Sequence, residues 1–179
     1  MTRYFTTLAI AIAACAAMVA PQAKAEKVLV YREGQLVKPH DVAALLGKTR
    51  SIRLLDDARA TRDSSGTEAA ALSLPVRFEF DSSVILPAAR AQLDALASGI
   101  KLLAPDRMVT IEGHTDAAGS DAYNLLLSRA RAQAVRNYLV QQHGLDAARL
   151  KAVGFGEERP IEGSDPQAAV NRRVQFRGA

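Results

Sequence analysis

From Leu74 onward, the spacing of the hydrophobic residues changes from that of a strand to that of a helix and back again. The first hydrophobic residues alternate with polar or small ones, as in a half-buried strand, at Leu74, Val76, Phe78 and Phe80. After Pro87 the spacing becomes helical, at Leu93, Leu96, Ile100 and Leu103. Val109 and Ile111 then return to alternation. A strand, a helix and a strand joined by short turns predict a parallel crossover, in which helices cover a sheet.

A second set of elements follows. We predict a second helix over Ser128–His143, with Ser128 as its N-cap and Gly144 as the glycine that ends it. Residues 150–155 and 171–177 predict two more strands. The whole pattern predicts an α+β domain over residues 72–179. Its architecture is a two-layer sandwich in the order βαβαββ, with two main helices packed on a mixed four-stranded sheet.

The N-terminus has the pattern of an export signal. Arg3 precedes an apolar run over residues 8–20, and the A-x-A sequence Ala23-Lys24-Ala25 follows Pro21. The run is shorter than the roughly 20 residues that span a bilayer. These features predict a signal peptide over residues 1–25, and a mature chain with 21 basic and 19 acidic residues.

The only cysteine, Cys15, suggests a second processing route. Ile12-Ala13-Ala14-Cys15 resembles the lipobox of bacterial lipoproteins, in which the cysteine is lipidated. The apolar run continues beyond Cys15, which favours ordinary cleavage after Ala25, and lipidation of Cys15 stays the alternative.

Residues 26–71 predict a weakly structured lead-in. It contains a short strand over Val28–Tyr31, a short helix over Pro39–Leu46 that Gly47 follows, and a second apolar run over Ile52–Leu55. Residues 56–71 have the composition of a linker. The lead-in is interpreted as a spacer, or else as a segment that docks onto the outer membrane or onto an envelope protein.

Arg131 is the first candidate site residue, because it falls on the predicted apolar stripe of the second helix. A guanidinium in that place needs an anionic partner or ligand. Asp116, in the polar loop after the second strand, is the nearest candidate. Two interpretations remain at this point. The two residues form either a small polar pocket at the ends of the strands or a structural Asp116–Arg131 salt bridge.

Several other classes of function are not favoured by the sequence. The nearly neutral mature chain gives no electrostatic case for nucleic acid. Glu112 and Asp116 are the paired acids that a hydrolase would use, but no set of nucleophile and base accompanies them. His114 and Asp116 are too few ligands for a metal site, and we expect His114 to form a hydrogen bond within its loop. We therefore expect no catalysis, no metal and no cofactor.

Eight short motifs occur in order between Leu74 and Arg177. They are Phe78-Glu79-Phe80-Asp81-Ser82, Gly113-His114-Thr115-Asp116, Gly119-Ser120, Tyr123-Asn124, Leu127-Ser128, Arg131-Ala132, Gly154-Phe155-Gly156-Glu157 and Asn171-Arg172-Arg173-Val174. Together they resemble the OmpA/MotB-like peptidoglycan-binding domain, which also occurs in the Pal lipoprotein. The resemblance leaves the lead-in uncovered.

The resemblance implies non-covalent binding of peptidoglycan through the diaminopimelate of its stem peptide. Asp116 would accept hydrogen bonds from the ammonium group, and Arg131 would hold the carboxylate. Phe80, Asp81 and Leu127 would line the pocket, whereas Asn124 and Arg172 would mainly support its loops. This binding would tether the protein, or the outer membrane, to the wall. The expected location is the periplasm or outer membrane of a Gram-negative bacterium. The alternative is an envelope scaffold that acts through its lead-in.

Overall fold

The computed structural model describes residues 28–32, 34–47 and 71–178. The predicted signal peptide, Cys15 and the apolar run Ile52–Leu55 lie outside these residues. No helix in the described ranges is both long and apolar enough to cross a membrane.

A mixed sheet of five strands forms one layer of the fold. The strands are β1 (Val28–Val30), β2 (Ala71–Leu74), β3 (Val109–Gly113), β4 (Leu150–Gly154) and β5 (Val174–Gly178). Their order in the sheet is β1-β2-β5-β3-β4. β5 is antiparallel to both of its neighbours, whereas the pairs β1–β2 and β3–β4 are parallel. The last strand therefore lies between β2 and β3, which the crossover helix connects.

Helices form the second layer: α1 (Pro39–Leu46), α2 (Pro87–Lys101) and α3 (Asp121–His143). Their buried residues share one hydrophobic core with alternate residues of the strands, such as Leu72, Ile111 and Phe176. Phe176 lies opposite both Leu72 and Ile111 in the sheet register, so the three side chains belong to the same face. The structure confirms the predicted α+β class and the order βαβαββ over β2 to β5.

The lead-in contributes one strand and one helix to the folded domain, which was predicted to begin only at residue 72. The short strand and the short helix that the sequence predicts are both present, as β1 and α1. Val42 and Leu46 of α1 are fully buried in the core, and Val42 lies against Gly99 of α2. Part of the lead-in thus belongs to the folded domain, and the sheet has five strands instead of four. The weak sequence pattern hid this because each element is too short to show a periodicity.

The predicted first strand, Leu74–Phe80, is wrong in its position. β2 ends at Leu74, and the next residue, Pro75, has no N–H group to continue the ladder. The chain then turns back on itself, and Phe78 forms an isolated antiparallel bridge with Ile85. Asp81 lies in the turn between them with a φ of 52°.

The N-terminus of α3 also differs from the prediction. The helix begins at Asp121, and its N-cap is Ser120, whose Oγ accepts a hydrogen bond from the backbone N–H of Tyr123. Ser128, the predicted N-cap, is buried in the middle of a turn of α3, and its Oγ accepts a hydrogen bond from the backbone N–H of Gly156. The C-terminal prediction is confirmed, since Gly144 ends the helix in the left-handed conformation.

Candidate functional site

A cleft of about 380 Å³ opens where β3 ends and α3 passes over the sheet. Its walls come from the segment after β2, from α3 and from the turn that precedes β5, and the lining residues include Pro75, Phe78, His114, Arg131, Ala169 and Arg172. Gly113 and Gly154, at the ends of β3 and β4, let the backbone of α3 approach closely. A Cβ atom on Gly154 would lie 2.5 Å from the backbone nitrogen of Arg129. The two glycines therefore place the first half of α3 beside the strand ends.

Asp116 lies in the loop that follows β3, and it contacts the cleft through the lining residue Arg172. Its Oδ2 accepts a hydrogen bond from Nη1 of Arg172 at 2.5 Å, and its Oδ1 accepts one from the N–H of Ala118 at 3.4 Å. The Asp116 side chain is 11% exposed and that of Arg172 is 51% exposed. Asp116 is therefore paired with Arg172. Within the described residues, the Asp116–Arg131 salt bridge that the sequence left open as an alternative is not formed.

Arg131 enters the same cleft from α3. Its Nε donates a hydrogen bond to the backbone oxygen of Ser82 at 3.0 Å, and its guanidinium lies 5.0 Å from the centre of the Phe78 ring. Burial lowers the pKa of Arg131, and the nearby Arg172 lowers it further, whereas Asp116 and Asp81 raise it. An anion bound at Arg131 would offset both the burial and the repulsion from Arg172.

Arg131 lies at the edge of the buried face of α3. The buried residues of the helix are Asn124, Ser128, Ala132, Val135 and Leu139. The buried face is therefore displaced from the predicted stripe, with which it shares only Val135. Of the other stripe residues, Leu127, Arg131 and Tyr138 are half-buried; the full predicted stripe is Leu127, Ala130, Arg131, Ala134, Val135 and Tyr138. The displacement explains how Arg131 combines partial burial with access to the cleft.

Asn124 supports the loop that carries Asp116. Its side-chain nitrogen donates hydrogen bonds to the backbone oxygens of Asp116 and Ala118, at 3.3 and 3.1 Å, and to Oε2 of Glu157 at 2.5 Å. The side chain is buried. It joins the start of α3 to the loops after β3 and β4, which is the geometry of a supporting residue.

The remaining predicted pocket residues lie at or beyond the rim. Phe80 is fully exposed, and the aromatic side chain that contacts Arg131 is Phe78, two residues earlier. Asp81 is exposed, and it is close enough to Arg131 to raise the pKa of that guanidinium. Leu127 is half-buried and is not among the residues that line the cleft. The predicted wall of Phe80 and Leu127 therefore differs from the observed one.

His114 and Arg173 form part of the cleft lining, and sequence reasoning assigned neither of them to it. Both are buried, and neither ring nitrogen of His114 has a hydrogen-bond partner among the described residues. The expected hydrogen bond of His114 within its loop is therefore wrong. Instead, its ring stacks on Phe155 with a centroid distance of 5.6 Å. Burial, together with Arg173 and Arg159, lowers the pKa of His114 to about 3.

A second acid–arginine pair lies on the face of the sheet opposite the helices. Glu112 of β3 accepts hydrogen bonds from Nε and Nη2 of Arg177 at 3.1 and 3.2 Å. The Glu112 side chain is 5% exposed. Burial raises the pKa of Glu112, although Arg159 and Arg173 lower it in part. The described residues contain no cluster of three or more His, Cys, Asp or Glu side chains that could hold a metal ion.

Comparison with known proteins identifies relatives in the bacterial envelope. Over 124 residues the chain is 41% identical to outer membrane porin F of Pseudomonas aeruginosa, an alignment that covers 66% of this chain and 35% of the porin. Over 119 residues it is 44% identical to the peptidoglycan-associated lipoprotein of Pseudomonas putida, covering 64% of this chain and 70% of the lipoprotein. The chain thus spans about a third of the porin and most of the lipoprotein.

Solved structures show the same architecture. The peptidoglycan-associated lipoprotein of Burkholderia pseudomallei superposes with a TM-score of 0.51 at 37% identity, covering 60% of this chain and 89% of the other. The OmpA-like domain of FopA1 from Francisella tularensis gives a TM-score of 0.52 at 27% identity, covering 61% and 71%. The model of the OmpA family matches residues 77–173, which is more than half of the 179 residues and includes Asp116, Arg131 and Arg172. The chain belongs to the OmpA family.

Proposed function

We propose that this protein binds peptidoglycan non-covalently, through the free amino-carboxylate end of diaminopimelate in the stem peptide. One observation carries the proposal: Arg131 lines the cleft, and Asp116, from a separate element, lies close enough to raise the pKa of Arg131 while its carboxylate is bound to Arg172 instead. A ligand group with an ammonium and a carboxylate on the same carbon matches this arrangement of charges.

Each charge of the ligand has a partner of the right chemistry. The ammonium would donate hydrogen bonds to the Asp116 carboxylate, which accepts a hydrogen bond from the N–H of Ala118 and whose backbone oxygen is held by Asn124. The carboxylate would accept hydrogen bonds from the planar guanidinium of Arg131, which Ser82 and Phe78 hold in place. Phe78, Pro75 and Ala169 supply apolar contacts for the methylene groups of the ligand.

The relatives support the proposed role in the envelope. Two of them are named peptidoglycan-associated lipoproteins and others are named outer membrane proteins, and none of these names denotes an enzyme. A chain of this family that holds the wall would tether itself, or the outer membrane, to peptidoglycan. The location that fits this role is the periplasm or the outer membrane of a Gram-negative bacterium.

Calorimetric titration tests the proposal. The purified protein is titrated with the stem tripeptide L-alanyl-γ-D-glutamyl-meso-diaminopimelate, beside the variants Asp116→Ala and Arg131→Ala. We expect saturable binding by the parent and at least about tenfold weaker binding by each variant, because each loses a charge-assisted hydrogen bond.

Two exposed residues provide matched controls, Asp106→Ala and Arg129→Ala. They change the net charge as the site variants do, and we expect them to bind like the parent. A parent protein that fails to bind the tripeptide, although it is folded by circular dichroism, would contradict the proposal. That result would direct attention to the alternative, an envelope scaffold that acts through residues 26–71.

A further inference from the structure

A second cleft, of about 320 Å³, opens on the face of the sheet opposite the helices. It lies between β1, which is an edge strand, the strands β3 and β5, and the loop after β4. Its volume is in the range of sites that hold a small ligand. The lining combines apolar and cationic side chains, among them Val28, Val30, Arg159, Ile161 and Arg173. The proposed binding of the stem peptide makes no use of this cleft.

Arg159 supplies a guanidinium at the mouth of the second cleft. The residue is exposed, and its guanidinium lies 3.7 Å from the centre of the Phe155 ring, which holds it in place. Within the ranges that the structure describes, Arg159 forms no salt bridge with an acid. Its charge extends into the interior, where it lowers the pKa of Glu112 and of His114. Arg159 is therefore a positioned cation that an anionic ligand can reach.

Arg173 lies deeper in the same cleft, with 7% of its surface exposed. Its Nη2 donates a hydrogen bond to the backbone oxygen of Arg159 at 3.1 Å, and its Nε donates one to Oε1 of Gln175 at 3.3 Å. Its Nη1 is buried and has no hydrogen-bond partner among the described residues. Because buried N–H groups are normally paired, this nitrogen favours a ligand that brings an oxygen to it.

Glu112, the acid beside Arg173, does not supply that oxygen. Both oxygens of Glu112 accept hydrogen bonds from Arg177. The charge of Glu112 raises the pKa of Arg173, so the positive charge of Arg173 is compensated in part. What Arg173 offers a ligand is therefore a hydrogen-bond donor, whereas the cation that an anion would pair with is Arg159.

We propose that the second cleft binds a carboxylate next to a small apolar group, as at the C-terminus of a peptide that ends in alanine. One carboxylate oxygen would accept a hydrogen bond from Arg159 and the other from Nη1 of Arg173, and the bond between these two arginines keeps them adjacent. Val30 and Ile161 would contact the apolar group. This inference goes beyond the proposed function, which concerns the cleft beside the helices.

The test compares two ligands that differ in one charge. N-acetyl-L-alanine, which has a carboxylate, and N-acetyl-L-alaninamide, which has none, are titrated into the isotope-labelled protein, and NMR follows the backbone amides that line the second cleft. We expect saturable shifts with the carboxylate and at least about tenfold weaker binding of the amide. In Arg159→Gln we expect the carboxylate to bind at least about fivefold more weakly, and in the control Arg129→Gln we expect parental binding.

The same titration on Arg131→Ala separates the two clefts, because Arg131 lines only the cleft beside the helices. We expect this variant to retain the shifts at the second cleft. Equal binding of the two ligands, parental binding by Arg159→Gln, or no binding by the parent would overturn the second site. Shifts that are confined to the first cleft, or that disappear in a folded Arg131→Ala protein, would also overturn it. None of these results bears on the tripeptide titration that tests the proposed function.

Discussion

Two acid–arginine pairs lie close together in the fold, one on β3 and one in the loop after β3. They have the same chemistry but differ in how far they are exposed to solvent. Glu112 and Arg177 meet on the face of the sheet away from the helices, through two hydrogen bonds of 3.1 and 3.2 Å. Asp116 and Arg172 meet at the mouth of the cleft through a single contact of 2.5 Å. Arg177 is 26% exposed, whereas Arg172 is 51% exposed.

The difference teaches which pair can serve a ligand. Both oxygens of Glu112 are engaged by one guanidinium, and the carboxylate is buried by its neighbours, so a ligand has little to bind there. Asp116 has one strong partner, and that partner can rotate into solvent. Because half of the Arg172 side chain is already exposed to solvent, this pair costs less free energy to open than the pair at Glu112. The pair at the cleft can therefore exchange partners, whereas the pair on the sheet holds the fold.

The largest effect is expected from removal of the buried acid. Glu112→Ala removes the buried carboxylate that accepts two hydrogen bonds from Arg177 and that lies beside the buried Arg173. We expect the free energy of unfolding to fall by about 3 kcal/mol, as when one partner of a buried pair is removed. Urea denaturation measures this loss. The exposed Glu158→Ala is the control, with an expected change below about 0.5 kcal/mol. A Glu112→Ala protein as stable as this control would contradict the claim that the Glu112–Arg177 pair stabilises the fold.

Acid pH should weaken the fold through His114, which lies beside Glu112. Burial lowers the pKa of His114 from its ordinary 6.5 to about 3. Between these pH values His114 is therefore neutral in the folded protein and protonated in the unfolded chain. The stability is therefore complete above about pH 6.5 and falls as the pH decreases toward about 3. Between pH 6.5 and 4.5 the contribution of His114 amounts to about 2–3 kcal/mol.

Urea denaturation at several pH values tests this effect. We expect His114→Gln to reduce the loss of stability between pH 6.5 and 4.5, because the imidazole that takes up the proton on unfolding is gone. His40→Gln, at an exposed position, is expected to retain the parental pH dependence. If His114→Gln had the same pH dependence as the parent, His114 would not be the group responsible.

A smaller effect is expected from the residue that connects the cleft to the fold. Asn124→Ala removes the hydrogen bonds to the backbone oxygens of Asp116 and Ala118, of which that of Asp116 is buried. We expect a loss of about 1–2 kcal/mol in the free energy of unfolding. We also expect severalfold weaker binding of the tripeptide, since Asp116 loses its support. Thermal unfolding and titration of the same samples measure both quantities. Unchanged binding would show that the loop needs no such support.

The smallest change in stability is expected at the Asp116–Arg172 pair. Asp116→Ala removes an ion pair whose arginine is half exposed, and we expect the free energy of unfolding to fall by less than about 1 kcal/mol. Denaturation beside Glu112→Ala gives the direct comparison. A loss at Asp116 as large as that at Glu112 would mean that the cleft pair is structural, which would weaken the case for partner exchange.

The sequence predicted the fold better than it predicted the contacts of the site. The spacing of the apolar residues predicted α2, β3 and the C-terminal end of α3, and it predicted the class of the fold. The start of α3 was misplaced because Ser120 and Ser128 are both good N-caps, and only the capping hydrogen bond distinguishes them. The wall of the cleft was misplaced because Pro75 ends the strand before Phe78, which shifts the aromatic contact from Phe80 to Phe78.

The sequence by itself predicted that Asp116 lies on a loop and Arg131 on a helix beside the strand ends. Hydrophobic periodicity and the order of the motifs suffice for this, because both are local properties of the chain. Only the tertiary structure decided that Asp116 pairs with Arg172, 56 residues away, and that Glu112 pairs with Arg177. Such pairings depend on β5 lying between β2 and β3, which brings the last strand beside the loop after β3.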